Sequence, residues 1–93
     1  MQFAIIAYDF DDALERRIQS RDDHVERLKA LAVQGQLVSA GALLDNAGKM
    51  IGSNVHLTFE TRASLDQWLA SEPYMENRVW EDVQVREIKL LSI

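Results

Sequence analysis

The pattern of apolar and polar residues predicts four strands along this chain. Residues 2–8 form an apolar run at both odd and even positions, which is typical of a strand covered on both faces. Apolar or alternating runs at 37–44, 53–59 and 83–91 predict the other three strands. The segment 45–49 is rich in Asp, Asn and Gly, which is typical of a tight turn, and it joins the second and third strands into a hairpin.

Helical spacing predicts a first helix between the first two strands. We expect this helix to begin at Ser20, because Ser20 and Asp23 have the spacing of a capping box, and to end at Gly35. Its buried stripe would consist of Val25, Leu28, Leu31 and Ala32. Before Ser20, residues 12–19 predict only a short helical turn.

A second helix is expected over residues 62–70, with Thr61 as its N-cap. Pro73 prevents its continuation, and residues 74–79 would be irregular or form a single helical turn. The resulting order, β-α-β-β-α-β, is the ferredoxin-like arrangement of an α+β protein, which packs both helices on one face of the sheet. Because the first strand is apolar on both faces, the open face would expose a large apolar patch unless a second subunit covered it. We therefore expect a homodimer or a higher even oligomer.

Composition narrows the classes of function. The 93 residues, with 47% hydrophobic and 27% charged side chains, fit a single folded domain over residues 1–93. The formal net charge of −5 and the scattered basic residues argue against a nucleic-acid partner. The absence of cysteine excludes disulfides, thiol catalysis and cysteine metal sites. No apolar run has the length of a membrane span or the flanks of a signal peptide, so we expect no membrane association and a cytoplasmic location.

Two short motifs far apart in the sequence carry the candidate chemistry. They are Arg21-Asp22-Asp23-His24, near the start of the first predicted helix, and Ser71-Glu72-Pro73-Tyr74, just past the end of the second. An imidazole is the side chain most easily poised to move a proton near neutral pH, and the proline after Glu72 restricts the glutamate backbone to an extended form. A helix N-terminus disfavours the imidazolium of His24, whereas a nearby carboxylate favours it. If the fold brings His24 and Glu72 together, they form a general-base dyad; if it does not, they are a surface histidine and a solvated loop glutamate.

Four further residues are candidates for holding a ligand. Arg21 lies three residues before His24 on the same side of the helix, where it would anchor a substrate carboxylate or pair with a nearby acid. Ser53 would hydrogen-bond a ligand or satisfy the backbone at a turn, and without a G-x-S-x-G context it is not expected to be a nucleophile. Gly41 indicates a close backbone approach or a bulge, and Tyr74 would line a cleft or pack beside the helix end. No metal-binding spacing is present, so no metal site is expected.

Taken together in chain order, these segments resemble the YciI-like family, small proteins of the dimeric α/β-barrel type. The matching segments are Leu14-Glu15-Arg16-Arg17-Ile18 leading into Arg21 and His24, then Arg27-Leu28, Ser39-Ala40-Gly41, Gly52-Ser53 and Ser71-Glu72-Pro73-Tyr74. The resemblance implies a ferredoxin-like protomer, a dimer whose sheets face each other, and a cleft that holds a histidine and an acid. Two departures stand out: Glu72 replaces the usual Asp, and Ala42 replaces the proline that usually follows the glycine of the second strand.

The resemblance also implies a class of chemistry. Muconolactone-isomerase-like and dehydrochlorinase-type relatives act on small organic acids or lactones. His24 would then be the general base and Glu72 would orient it, while Arg21, Gly41, Ser53 and Tyr74 would form the binding site for a small anionic molecule. Lactone isomerisation or elimination by such a site needs no cofactor. The alternative is a non-catalytic dimeric module that binds a small molecule or assists a larger enzyme.

Overall fold

Four strands and three helices make up the fold in the computed structural model, which describes residues 1–93. The elements are β1 (Gln2–Asp9), α1 (Leu14–Val33), β2 (Leu37–Leu44), β3 (Met50–Thr58), α2 (Arg62–Ala70), α3 (Pro73–Glu76) and β4 (Trp80–Ile88). The strands form one sheet in the order β2-β3-β1-β4, and every pairing is antiparallel. The predicted ferredoxin-like α+β fold is therefore confirmed, with α3 as the single helical turn after α2.

The first helix is longer than predicted. α1 is one continuous helix of 20 residues that begins at Leu14, so the prediction of a helix capped at Ser20 was wrong. Ser20 lies inside the helix, where its hydroxyl accepts a hydrogen bond from Asn77 Nδ2 at 3.0 Å. His24 consequently lies in the middle of α1, where the positive end of the helix dipole does not act on it. The predicted end is correct, because Gly35 follows the C-cap with a φ of +74°.

Two strands begin earlier than predicted. β3 begins at Met50 rather than Ser53, and β4 covers residues 80–88 rather than 83–91. In β3, Gly52 interrupts the alternation of side chains, so the first part of the strand lacks the period-two signal. The cap of α2 is as predicted, because Thr61 Oγ1 accepts a hydrogen bond from the backbone N–H of Ser64 at 3.0 Å.

The close backbone approach predicted at Gly41 occurs at a different glycine. A Cβ on Gly41 would meet no atom within 4 Å, and the register shifts in β2 lie towards its two ends. A Cβ on Gly52 would instead overlap the carbonyl oxygen of Ala7 on β1. Only glycine at position 52 allows β3 to lie this close to β1.

The core lies between the helices and one face of the sheet. Its fully buried side chains come from β1, β3, α2 and the loop before β4. They include Phe3, Ile5, Ala7, Val55, Leu57, Leu65 and Val79. The opposite face is more polar than the strand pattern predicts. There Ala4 is flanked across the strands by His56 and Arg86. Since polar side chains border the apolar positions of β1, the exposed apolar patch is narrower than expected.

Candidate functional site

His24 and Glu72 lie in direct contact, as the motif interpretation predicted. The Nδ1 atom of His24, on α1, hydrogen-bonds Oε1 of Glu72, which is the N-cap residue of α3. His24 is 7% exposed and Glu72 is 0% exposed, so both groups are buried. The extended backbone predicted for Glu72 is also present, with a ψ of 127° before Pro73.

Arg27 holds the other oxygen of Glu72. Its Nη1 donates to Glu72 Oε2 at 2.9 Å, and its Nη2 donates to the Trp68 carbonyl at 2.8 Å and to Ser71 Oγ at 3.0 Å. Both carboxylate oxygens of Glu72 are thus occupied, and Arg27 supplies a compensating charge for the buried acid. We refer to His24, Glu72 and Arg27 as the His24 cluster. Within it, Glu72 hydrogen-bonds the imidazole but does not line the cavity onto which His24 opens.

The contact with Glu72 determines which nitrogen of His24 is free. Because a carboxylate can only accept a hydrogen bond, we assign the proton of the neutral imidazole to Nδ1. Nε2 then carries a lone pair, and no group of the protein donates to it. The ring is fixed in this orientation by Tyr74, which stacks on it at 3.9 Å between centroids, and by the edge of Trp80 at 6.1 Å. A free, oriented lone pair is what a general base requires.

His24 opens onto a cavity of about 240 Å³ between α1 and the β2–β3 side of the sheet. All four residues predicted to bind a ligand also line this cavity: Arg21, Gly41, Ser53 and Tyr74. The remaining wall is largely apolar and includes Val25, Leu28 and Val55. Every predicted site residue except Glu72 therefore lines this cavity, and Glu72 contacts His24 without lining it.

The individual environments of these residues resolve several open alternatives. Arg21 is exposed and forms no ion pair with an acid, so its guanidinium is an uncompensated cation at the cavity. Tyr74 is 2% exposed, and its hydroxyl has no hydrogen-bond partner within the protein. Burial raises the pKa of Tyr74 above its usual value of 10.0, while the cations Arg17 and Arg21 act in the opposite direction. At neutral pH Tyr74 is a phenol, which can donate a hydrogen bond into the cavity.

A second buried polar cluster, which the sequence interpretation missed, surrounds Ser53. Arg17 donates from Nε to Asp9 Oδ2 at 2.7 Å, from Nη2 to Asp9 Oδ1 at 3.0 Å and from Nη2 to Ser53 Oγ at 2.7 Å. Trp80 Nε1 also donates to Ser53 Oγ, at 3.1 Å. Ser53 therefore does not satisfy backbone groups at a turn, because it lies inside β3 and its hydroxyl contacts Arg17 and Trp80. We refer to Asp9, Arg17, Ser53 and Trp80 as the Ser53 cluster.

A signal for the missed residues is present in the sequence. Arg17, Ser20, His24 and Arg27 are spaced by three, four and three positions, which places them on one face of a helix. The same face continues through the buried Leu28 and Leu31. Polar residues that occupy a buried stripe in this way indicate a satisfied polar network. The predicted break at Ser20 divided the stripe and concealed it.

The other histidine lies away from this site. His56 is on the open face of the sheet, where its Nδ1 lies 3.2 Å from Ser39 Oγ. No group of three or more His, Cys, Asp or Glu side chains is arranged to hold a metal ion. No helix combines the length and the apolar character needed to cross a bilayer.

Comparison with known proteins places the chain in a family. The YCII-related domain matches residues 1–89. An uncharacterized protein of Haemophilus influenzae is 35% identical over 96% of this chain and 97% of its own length, and protein YciI of Escherichia coli is 34% identical over the same shares. The structure of 5-chloro-2-hydroxyhydroquinone dehydrochlorinase from Burkholderia phenoliruptrix, in complex with 2,5-dihydroxybenzoquinone, matches with a TM-score of 0.85 at 20% identity, over 96% of this chain and 94% of that one. The fold is that of dimeric α+β-barrel proteins, and the chain belongs to the YCII-related domain family.

Proposed function

We propose that this protein binds a small anionic organic molecule in the cavity and moves a proton with His24 as the general base. The observation that carries the proposal is the unpartnered Nε2 of His24, a residue that lines the cavity and whose Nδ1 is held by Glu72. Glu72 has the orienting role of the acid in other histidine-based sites, and it stabilises the imidazolium that forms. Arg27 keeps Glu72 in place through the second carboxylate oxygen.

The chemistry is either an elimination or an isomerisation. In both, Nε2 takes a proton from a carbon next to a carbonyl group, and the electron pair of the C–H bond moves into the substrate. In an elimination this electron pair forms a double bond and expels a leaving group such as chloride. In an isomerisation the imidazolium returns the proton to a different carbon, so that no atom is gained or lost.

The size, charge and lining of the cavity support a small anionic organic molecule as the ligand. A volume of about 240 Å³ is below the range of drug-sized pockets, which suits a molecule of a single ring. Val25, Leu28 and Val55 suit the faces and edges of such a ring, and the unpaired guanidinium of Arg21 suits an anionic oxygen. The complex of the dehydrochlorinase with 2,5-dihydroxybenzoquinone, a cyclic and acidic compound, provides a relevant probe.

We further propose that the protein is a cytoplasmic homodimer, or a higher even oligomer, in which the open faces of two sheets meet. Ile6 and the 46% exposed Tyr8, on the open face of β1, would lie at this interface. Light scattering at micromolar concentration should give at least twice the chain mass of 10.6 kDa. A monodisperse species of 10.6 kDa would contradict the dimer.

The function is tested by chloride release from 5-chloro-2-hydroxyhydroquinone and by calorimetric binding of 2,5-dihydroxybenzoquinone. We expect one quinone bound per chain, and a fall in chloride release of about 10²-fold to 10⁴-fold in His24→Gln. His56→Gln is the matched control, because it replaces the only other histidine, on the opposite face of the sheet. Equal chloride release in His24→Gln and the wild type would contradict a base role for His24. Binding without turnover in the wild type would favour the non-catalytic binding module.

A further inference from the structure

The hydrogen bonds around Ser53 determine whether its hydroxyl can donate to a ligand or accept from one. The side chain is 3% exposed, and its Oγ receives hydrogen bonds from Arg17 Nη2 at 2.7 Å and Trp80 Nε1 at 3.1 Å. A guanidinium and an indole N–H can only donate, whereas a hydroxyl oxygen has two acceptor positions and one hydrogen. Both acceptor positions of Ser53 are therefore occupied, and the only capacity left is that of a donor.

No group of the protein receives the hydrogen of the Ser53 hydroxyl. Both hydrogen bonds of Oγ are ones in which it accepts, and Ser53 lines the same cavity as His24. The cavity is consequently the space in which an acceptor for this hydrogen can lie. A buried hydroxyl whose donor is left unused is costly unless a ligand or water supplies the missing acceptor.

We propose that Ser53 is an obligate hydrogen-bond donor to a substrate oxygen, with Arg17 and Trp80 as the residues that position it. The proposal rests on the proposed function and specifies its substrate class. The ligand must offer an acceptor oxygen beside the carbon from which His24 removes a proton, as a carbonyl, a carboxylate, an enolate or the keto tautomer of a phenol does. Because Ser53 has no free acceptor position, a ligand group that can only donate, such as an ammonium, is not recognised at the same place.

The charge on Arg17 makes this donor stronger than an ordinary serine. A hydrogen bond from a guanidinium draws electron density from Oγ, and chains of hydrogen bonds polarise one another. Asp9 holds Arg17 through two hydrogen bonds, and the side chains of this pair are only 4% and 5% exposed. The donor is thus already oriented before a ligand arrives, which is the condition for effective transition-state stabilisation.

The proposed step balances without a further reactant. The substrate C–H bond breaks, a new N–H bond forms at His24 Nε2, and the electron pair moves onto the carbonyl oxygen to give an enolate. Ser53 keeps its own proton and hydrogen-bonds the oxygen, whose negative charge increases as the base takes its proton. Because His24 Nδ1 bonds Glu72 and no hydrogen bond joins His24 to Ser53, the serine is not activated as a nucleophile.

The test is infrared difference spectroscopy of 2,5-dihydroxybenzoquinone bound to the protein, combined with chloride release from 5-chloro-2-hydroxyhydroquinone. A hydrogen bond from Ser53 lowers the C=O stretching frequency of the bound quinone. We expect Ser53→Ala to lose this downshift and to lower kcat by about 10²-fold, the loss typical of one removed oxyanion donor. Ser53→Thr, which retains a hydroxyl, should keep the downshift, and His24→Gln should keep it while losing turnover.

Two outcomes distinguish a failure of the donor inference from a failure of the proposed function. An unchanged C=O frequency in a folded Ser53→Ala would overturn the donor inference and leave the base role of His24 standing. A wild-type protein that binds no quinone and releases no chloride would contradict the proposed function, and the donor inference with it.

A second variant covers the case in which Ser53→Ala does not fold, since that change leaves two buried N–H donors unpaired. Trp80→Phe instead frees one acceptor position of Ser53, so the hydroxyl is no longer forced to point into the cavity. We expect a smaller downshift and a lower kcat with little change in KM. A folded Trp80→Phe with wild-type frequency and kcat would overturn the positioning role.

Discussion

The His24 cluster and the Ser53 cluster are built from the same parts, yet they present opposite chemistry to the cavity. Each contains a buried carboxylate paired with a guanidinium, Glu72 with Arg27 and Asp9 with Arg17. In the His24 cluster the carboxylate contacts the functional side chain, and an acceptor lone pair is left free. In the Ser53 cluster the guanidinium contacts the functional side chain, and a donor hydrogen is left free. The member of the ion pair that contacts the central side chain decides whether an acceptor lone pair or a donor hydrogen is left free.

The ring of Tyr74 joins the two clusters. One face stacks on the His24 imidazole at 3.9 Å, and the guanidinium carbon of Arg17 lies 4.8 Å from the ring centroid. Trp80 meets the same ring edge-on at 5.6 Å while its indole N–H serves Ser53. Both clusters are therefore held against one aromatic wall, so their relative position is set by packing rather than by a direct hydrogen bond.

Neutralising the two carboxylates, each in its own variant, should reveal the largest difference in kcat between the two clusters. Glu72→Gln lets an amide N–H₂ face Nδ1 and favours the wrong tautomer of His24, so we expect kcat to fall by about 10²-fold or more. Asp9→Asn leaves Arg17 in contact with Ser53 and should lower kcat less. Chloride-release kinetics of the two variants measure the difference, and equal effects would contradict distinct roles for the two carboxylates.

Removing the guanidinium of the His24 cluster should affect stability. Arg27→Met leaves the fully buried Glu72 without its charge partner, and breaking such a pair costs about 3 kcal/mol in the free energy of unfolding. The exposed pair Arg62–Asp66 supplies the control, because Arg62→Met should cost less than about 1 kcal/mol. Urea unfolding compares the two variants. A loss for Arg27→Met no larger than that of the control would show that Glu72 does not depend on Arg27.

The Ser53 cluster depends on how closely β3 approaches β1. Gly52→Ala would place a methyl group against the Ala7 carbonyl, and we expect a loss of about 2 kcal/mol in the free energy of unfolding. Gly41→Ala is the matched control on β2, where the added methyl group meets no atom within 4 Å and stability should change by less than about 0.5 kcal/mol. Thermal or urea unfolding of the pair measures the contrast. Equal stabilities would mean that the spacing of β3 and β1 is not limited by residue 52.

The smallest expected effect concerns the shared aromatic wall at alkaline pH. Burial raises the pKa of Tyr74 above 10.0 in the folded chain, while the unfolded chain ionises at the ordinary value. Its contribution to stability is complete below about pH 10 and is lost as the pH rises through the higher folded pKa. Tyr74→Phe should therefore show a shallower fall in unfolding free energy above pH 10 than the wild type. Parallel curves for Tyr74→Phe and the wild type would contradict the buried phenol.

Particular residues show how much of the fold and of the candidate site can be predicted from the sequence. The order of elements follows from apolar periodicity, and the meeting of His24 with Glu72 follows from two motifs. Apolar periodicity does not predict the Ser53 cluster, because Arg17 and Asp9 are buried by mutual hydrogen bonds, and only the helical spacing of Arg17 indicates its buried position. A hydropathy pattern treats both as solvent-facing residues, and Ser20 then resembles a cap.

The glycines show a related limit. Gly41 and Gly52 both interrupt a strand, and sequence alone does not distinguish a close backbone approach from an open surface position. The distinction depends on strand register, which places Gly52 opposite Tyr8 and next to the Ala7 carbonyl. Register is a property of the whole sheet, so the prediction failed at Gly41 for a reason that no local motif contains.

The central claim is that Glu72 fixes His24 with its proton on Nδ1 and its lone pair on Nε2, facing a ligand. Nitrogen-15 NMR of the imidazole rings tests it directly, since the chain has only two histidines and His56→Gln assigns them. We predict a protonated Nδ1 and an unprotonated Nε2 in the neutral ring of His24, with the Nε2 resonance shifting when 2,5-dihydroxybenzoquinone is added and that of His56 unchanged. A proton on Nε2 of the neutral ring, or a His24 spectrum that saturating quinone leaves unaltered, would contradict the claim.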